Sequence, residues 1–154
     1  MTRLYLLRHA KAKWAAPGAR DYDRALELSG KADAEAVAAS MLLAGYVPDK
    51  VLCSGAARAR QTWEAVSRHL DVADIAYSDG LYSSDASGYL DLIREAGSAG
   101  SLLVVGHNPM MEDLAVALSC GGEPEALAAV ERGFPTCGLA VIRFSTPFAA
   151  IAPE

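Results

Sequence analysis

Two histidines end apolar runs in this chain, each in a setting suited to phosphate chemistry. The first stands in Leu7-Arg8-His9-Ala10-Lys11 and the second in Gly106-His107-Asn108-Pro109. A third segment, Ser54-Gly55-Ala56-Ala57-Arg58-Ala59-Arg60-Gln61-Thr62, follows another short apolar run, Val51 to Cys53. A phosphoryl group spreads negative charge over several oxygens. Its transfer therefore needs mostly positioning and charge stabilisation, with a nucleophile in line with the leaving group. Arg8, Arg58 and His107 can stabilise that charge. His9 can attack phosphorus only through an unprotonated ring nitrogen, and neighbouring arginines lower its pKa by disfavouring a further positive charge. Its other nitrogen is expected to donate to a backbone carbonyl, which fixes the tautomer and aims the attacking atom. His107 stands immediately before an expected helix start, where free amides and the helix dipole favour an anion. The remaining histidine, His69, is expected to serve the end of the helix that carries Trp63.

Three strand ends must bring these segments together, and in open α/β sheets the ligand crevice lies outside the carboxyl ends of the strands. Arg3 to Leu7 reads as a strand buried on both faces. Val51 to Cys53 is a short strand, Ile75 to Tyr77 a weak one, Ser101 to Val105 a strong buried one, and Leu139 to Phe144 the last. Ser29 is expected to cap a helix running to about Ala44, with Gly45 as its stop. Ala59, Trp63, Val66 and Leu70 form one apolar helix face, with Arg58, Gln61 and Thr62 at its beginning. Asp85 predicts the cap of a short helix carrying Leu90 and Ile93. Asn108 predicts a cap and Pro109 the opening of a helix containing Met110, Leu114 and Leu118. The loop holding Pro17, Gly18 and Arg20-Asp21-Tyr22-Asp23-Arg24 should lie over the end of the first strand. The alternation predicts an α/β fold, a three-layer α/β/α sandwich with a largely parallel sheet, in one domain over residues 1–154. The tail from Ser145 suits either an edge segment or a loop.

The bulk numbers fit this picture. A chain of 154 residues, 52% hydrophobic and 21% charged, is large enough to remove roughly 70% of its unfolded surface from water around one core. A net charge of −5 gives no general attraction to nucleic acid or anionic membranes, so neither is an expected partner and anion binding must come from local basic residues. No apolar stretch approaches the roughly 20 residues of a membrane span and no signal-peptide pattern opens the chain, so a cytoplasmic location is expected. Cys53, Cys120 and Cys137 are odd in number and lack metal-ligand spacing, which suits buried or free thiols in a reducing compartment. A cysteine phosphatase would pair a thiolate with an arginine across a phosphate loop. Four residues separate Cys53 from Arg58 and six separate it from Arg60, and neither is that motif's spacing. Zinc on His9 and His107 lacks an evident third ligand, and no metal or cofactor is expected.

These motifs resemble the histidine phosphatase superfamily, the phosphoglycerate-mutase-like fold, whose signature is Arg-His-Gly or Arg-His-Ala after the first strand. Arg8-His9, Arg58 in the Arg-Ala-Arg-Gln-Thr segment and His107 in Gly-His-Asn-Pro match that family's phosphate pocket in order and setting. The resemblance implies that His9 is the phosphorylated nucleophile. The compact length, the Arg8 to Lys11 segment, the Asp21-Tyr22-Asp23-Arg24-Ala25-Leu26 loop and Gly106-His107-Asn108-Pro109 are similar to the SixA-type phosphohistidine phosphatase branch. That similarity implies that Arg24 reaches the phosphate from the loop, although the usual pattern has proline in place of Ala25. Asn108 is a further candidate for substrate binding.

Members acting on phosphate esters generally carry Gly-Glu after the histidine, or an acidic residue in a later insertion, to protonate the leaving oxygen. Here Ala10-Lys11 and Asp79-Gly80-Leu81-Tyr82 offer no clear counterpart, and Asp21, Asp23 and Glu112 remain the candidate acids. An imidazole leaving group, with a pKa of about 6.5, needs far less acid assistance than an alkoxide. The resemblance thus implies a hydrolase acting on phosphohistidine in a protein, through phospho-His9 that water then cleaves. Two alternatives stand beside it: a phosphatase for small-molecule or protein phosphate esters using the same nucleophile, and a non-catalytic phosphate-binding regulator. The expected partner is a histidine-phosphorylated protein or a small phosphorylated substrate.

Overall fold

Among the described residues, five strands make one sheet in the order β3-β2-β4-β1-β5: β1 (Thr2–Arg8), β2 (Lys50–Ser54), β3 (Asp74–Ser78), β4 (Ser101–Gly106) and β5 (Leu139–Phe144). They come from a computed structural model that describes residues 1–119 and 124–153. The first four strands run parallel, and β5 pairs antiparallel with β1. The register sets Arg8 opposite Gly106 and Cys53 opposite Val105. The carboxyl ends of β1, β2 and β4 therefore share one edge of the sheet, and the segments that follow them meet there.

The parallel strands read as continuous apolar runs because helices cover both of their faces. These helices are α1 (Leu28–Leu43), α2 (Ala57–Ser67), α3 (Gly80–Ser83), α4 (Ala86–Arg94), α5 (Met110–Leu118) and α6 (Pro124–Glu131). The period of two in β1 divides its side chains cleanly. Tyr5 and Leu7 pack with Ala38 and Met41 of α1 and Trp63 and Val66 of α2. Leu4 and Leu6 pack on the opposite face with Tyr89 and Ile93 of α4 and Met111 and Leu114 of α5. The result is a three-layer α/β/α sandwich.

Several local expectations are corrected by tertiary contacts. Ser29 does not cap α1: the helix opens at Leu28 with Glu27 in the cap position, and the Ser29 hydroxyl lies 3.4 Å from the Glu27 carboxylate. The start is set instead by the segment after β1, where Lys11 accepts from the Glu27 N–H at 2.9 Å. Gly30 makes this approach possible, because a Cβ there would stand 2.3 Å from the Lys11 carbonyl oxygen. Gly45, at φ +74°, follows the other end of the helix as expected. Leu70 is buried but lies past the end of α2. His69 reaches across to Glu35 of α1 at 3.5 Å rather than to its own helix end. Asp85 does cap α4, accepting from the Gly88 N–H at 2.9 Å.

The tail makes a 3-10 turn at Phe148–Ala150 that buries Phe148 and Ile151. Thr2 anchors it by donating to the Thr146 carbonyl at 2.7 Å. Cys53 and Cys137 are buried free thiols, and burial pushes them up to about 12 and about 11; Cys120 lies outside the described residues. Among the described residues, no helix is long and apolar enough to cross a membrane.

Candidate active site

His9 follows β1 directly and is held by its backbone on two sides. Its N–H donates to the Gly106 carbonyl at 3.0 Å, and its own carbonyl accepts from the Cys137 N–H at 3.0 Å. The ring Nδ1 lies 2.7 Å from the Ala10 carbonyl. A carbonyl only accepts, so Nδ1 carries the proton and Nε2 is the unprotonated nitrogen. Ala10 is fixed in turn by Thr62, whose hydroxyl accepts from the Ala10 N–H at 2.9 Å and donates to the Arg58 carbonyl at 2.7 Å. One hydroxyl thus ties the first turns of α2 to the segment that orients His9.

The His107 ring lies 5.2 Å from that of His9, between centroids. Its Nε2 is 2.8 Å from Ser54 Oγ, which accepts from the Ala56 N–H at 3.3 Å. With the Ser54 proton directed to Nε2, Nδ1 carries the ring proton. That atom is buried and has no partner among the described residues, and in this tautomer it is a donor suited to an anion. The His107 N–H donates to the Tyr89 hydroxyl at 3.1 Å, and Tyr89 donates to the Leu81 carbonyl.

Three arginines surround the two rings. Arg8 donates from Nη1 to the Phe134 carbonyl at 2.8 Å, while its buried Nε has no partner among the described residues. Arg58 donates from Nη1 to the Asp21 carbonyl at 2.9 Å and from Nη2 to Asp21 Oδ2 at 3.1 Å. Arg24 reaches the Lys13 carbonyl at 2.8 Å and Asp21 Oδ1 at 3.2 Å. Tyr82 adds a third donor to Asp21, at 2.8 Å. The Tyr82 ring also stands edge-on to His107, with centroids 5.6 Å apart, and edge-on to Tyr22 at 5.0 Å. Gly55 leaves room for this wall, since a Cβ there would lie 2.3 Å from the Tyr22 hydroxyl oxygen.

Each candidate acid has a protein partner. The Tyr82 hydrogen bond, followed by Arg24 and Arg58, holds the Asp21 carboxyl down at about 2 against partial burial. It is an ionised brace for two arginines. Asp23 pairs with Arg20 at 2.9 Å on the exposed side of the loop. Glu112 accepts from the Phe134 N–H at 3.0 Å. Asn108 is likewise occupied: it does not cap α5, whose cap position is Pro109, and its Nδ2 donates to the Phe134 carbonyl at 2.9 Å. Arg8 uses that same carbonyl, so Asn108 braces the partner of Arg8.

Sequence reasoning locates His9, Arg8, Arg58, Arg24 and His107, and the structure brings these five side chains to one end of the sheet. It misses Ser54, Thr62, Tyr82, Tyr89 and the Phe134 backbone. Ser54 had a signal, a hydroxyl at the end of an apolar strand. The backbone groups had none.

Burial is the largest cause that lowers the His9 pKa to about 4, with Arg58, Arg8 and Arg24 adding to it against the Ala10 hydrogen bond. Burial likewise brings His107 to about 3, helped by His9 and Arg58. Both values lie below 6.5, so between them and 6.5 the unfolded chain binds more protons than the folded one. Each histidine's contribution to stability is therefore complete above about pH 6.5 and is lost as pH falls toward the folded value. By pH 5 the loss should reach about 2 kcal/mol per histidine. Denaturant midpoints at pH 7 and pH 5 measure it. His9→Asn should reduce the drop, and equal midpoints in the wild type would show that the rings are solvated.

Neutral rings among arginines favour an anion over a metal. Among the described residues, no group of three or more His, Cys, Asp or Glu side chains is placed to hold a metal ion.

Comparison with known proteins agrees with this geometry. The model for the histidine phosphatase superfamily (branch 1) matches residues 4–89. An uncharacterized protein of Mycobacterium tuberculosis is 36% identical over 152 residues, covering 96% of this chain and 92% of its own. The crystal structure of a proposed phosphohistidine phosphatase SixA from Agrobacterium tumefaciens matches with a TM-score of 0.83 and 48% identity, over 91% of this chain and 90% of that one. A structure of the protein histidine phosphatase SixA complexed with tungstate matches with a TM-score of 0.67 and 26% identity, over 80% of each chain.

Proposed function

Because the chain belongs to the histidine phosphatase superfamily and has its phosphoglycerate-mutase-like α/β fold, we propose that it hydrolyses phosphohistidine in a protein through a phospho-His9 intermediate. His9 Nε2 attacks phosphorus in line with the bond to the substrate imidazole, whose other ring nitrogen carries a proton, so that it leaves as a neutral ring with the electron pair of the P–N bond as the new P–Nε2 bond forms. Water then attacks phospho-His9, the P–Nε2 bond breaks with its electron pair returning to the ring, the protons of the water stay with the departing inorganic phosphate or pass to solvent, and the neutral ring is restored with Nδ1 still on the Ala10 carbonyl. Arg8, Arg58, Arg24 and His107 Nδ1 hold the phosphoryl oxygens in both steps. Donors fixed in advance at the developing charge need little reorganisation during reaction.

The observation that carries the substrate class is the state of the acids. Asp21 is held ionised by two arginines and a phenol, and Asp23 and Glu112 have other partners. An alkoxide leaving from a phosphate ester would need a proton, and these groups already serve as ion-pair or hydrogen-bond acceptors. An imidazole can leave with little help. The similarity to proteins named SixA supports the same reading.

Phosphate release should be compared, without added metal, for a histidine-phosphorylated carrier protein and for phosphoserine, phosphotyrosine and sugar phosphate esters. A well-placed acid is worth roughly 10² to 10⁴ in rate. The expected kcat/KM therefore favours phosphohistidine by at least about 10². Preference for an ester would reject the phosphohistidine reading and direct attention to a small substrate that brings its own acid.

A further inference from the structure

Beside the pocket, the chain exposes six successive uncharged residues, Trp14-Ala15-Ala16-Pro17-Gly18-Ala19. Trp14 is 89% exposed, while the other tryptophan, Trp63, is in the core. Soluble proteins seldom leave three or four consecutive apolar residues in water without a functional reason, and contiguous exposed apolar surface marks interaction sites. This segment is also a defined turn. Ala19 donates from its N–H to the Ala16 carbonyl at 2.9 Å, with Pro17 second and Gly18 third at φ +82°. That is the arrangement of a type II turn, in which the third position requires a positive φ.

The turn is fastened to the pocket at its base. Lys13 donates to the Ala25 carbonyl at 2.8 Å and accepts from Arg24 Nε at 2.8 Å. The Arg24 guanidinium lies over the Trp14 ring, 5.2 Å from its centroid. The same guanidinium touches Asp21, which holds Arg58. The apolar turn is thus continuous with the wall of the anion site, and both are parts of one surface.

We propose that residues 14–19 are a docking surface for the protein that carries the phosphohistidine, with Trp14 as the principal contact; this rests on the functional reading above. A phosphoryl group on one imidazole is too small to reach His9 and also cover a six-residue turn. A folded protein presenting its phosphohistidine does. No charged residue stands between Lys13 and Arg20 in the chain, so the partner surface facing residues 15–19 is apolar, with the Arg24 guanidinium at its edge over Trp14. A rigid turn that presents an exposed tryptophan offers a large contact at low ordering cost, and tryptophan is prominent among residues that dominate binding energy.

The test compares two P–N substrates, a histidine-phosphorylated carrier protein and small phosphoramidate, with wild type, Trp14→Ala and Ala16→Glu. The glutamate places charge on the turn while leaving its backbone hydrogen bond in place. Both variants should lose at least about tenfold in kcat/KM on the protein, chiefly through KM. On phosphoramidate they should stay within about twofold of wild type. Trp14→Phe should recover part of the loss. Equal losses on both substrates would show that Trp14 acts only by supporting Arg24, and no loss on either would show that the turn is uninvolved. Either result overturns docking while leaving the activity intact. Wild type inactive on both P–N substrates would instead remove the functional reading, and docking with it.

Discussion

His9→Ala should lose at least about 10⁴-fold in turnover on its best substrate while still unfolding in one cooperative denaturant transition at pH 7. Nothing else in the pocket replaces the lost nitrogen. His107 Nε2 is engaged by Ser54, and burial holds the Cys53 and Cys137 thiols up at about 12 and about 11. Water would have to attack the substrate directly, without an acid for the leaving group and without a base in line. His9→Asn is the more informative partner variant, because it keeps a polar group near the Ala10 carbonyl but supplies no nucleophile. It should be as inactive as alanine. A residual rate above about 1% of wild type in either variant would indicate direct hydrolysis, with His9 serving only as a positive or polar wall.

Arg58→Ala should reduce kcat and kcat/KM together by about 10² to 10³, the usual loss of one preorganised donor to transition-state charge. The Arg58 guanidinium makes two bonds to Asp21, one to its carbonyl and one to its carboxylate. Removing it deletes a donor and also frees the loop carboxylate, which is then held by Arg24 and Tyr82 alone. Arg58→Lys should therefore rescue little, because an ammonium is a point charge and lacks the planar fork that engages both Asp21 groups. The backbone carbonyl of residue 58 still receives the Thr62 hydroxyl in both variants, so the His9 segment keeps its support. A loss below tenfold, or full activity in the lysine variant, would mean that Arg58 serves mainly as the counter-ion of Asp21.

The strands that converge on the site are legible in the sequence because they are buried on both faces. Arg3 to Leu7 and Ser101 to Val105 have almost no polar residue to disguise them, and their parallel register places Arg8 and Gly106 side by side. Helix starts were less legible. Ser29 and Asn108 have the composition of caps, but one start is set by Lys11 against Glu27 and the other side chain is taken by Phe134. Capping propensity is local, and these contacts are not. The same limit hid the segment before β5, where a carbonyl of Phe134 and an N–H of Cys137 do the bracing, since backbone groups leave no mark in residue type. Asp21 shows the converse. Its residue type suggested an acid, whereas its three partners, drawn from separate parts of the chain, hold it ionised.

The central claim, that phosphate passes through His9, is tested most directly by rapid mixing with histidine-phosphorylated carrier protein, a quench in base, and mapping of covalent phosphate by mass spectrometry. The predicted result is phosphate on the His9 ring at early times, stable to base, labile to acid, and missing from His9→Ala. Turnover by the wild type with no phosphate on His9 at any quench time, or phosphate on another side chain that persists in His9→Ala, would contradict it.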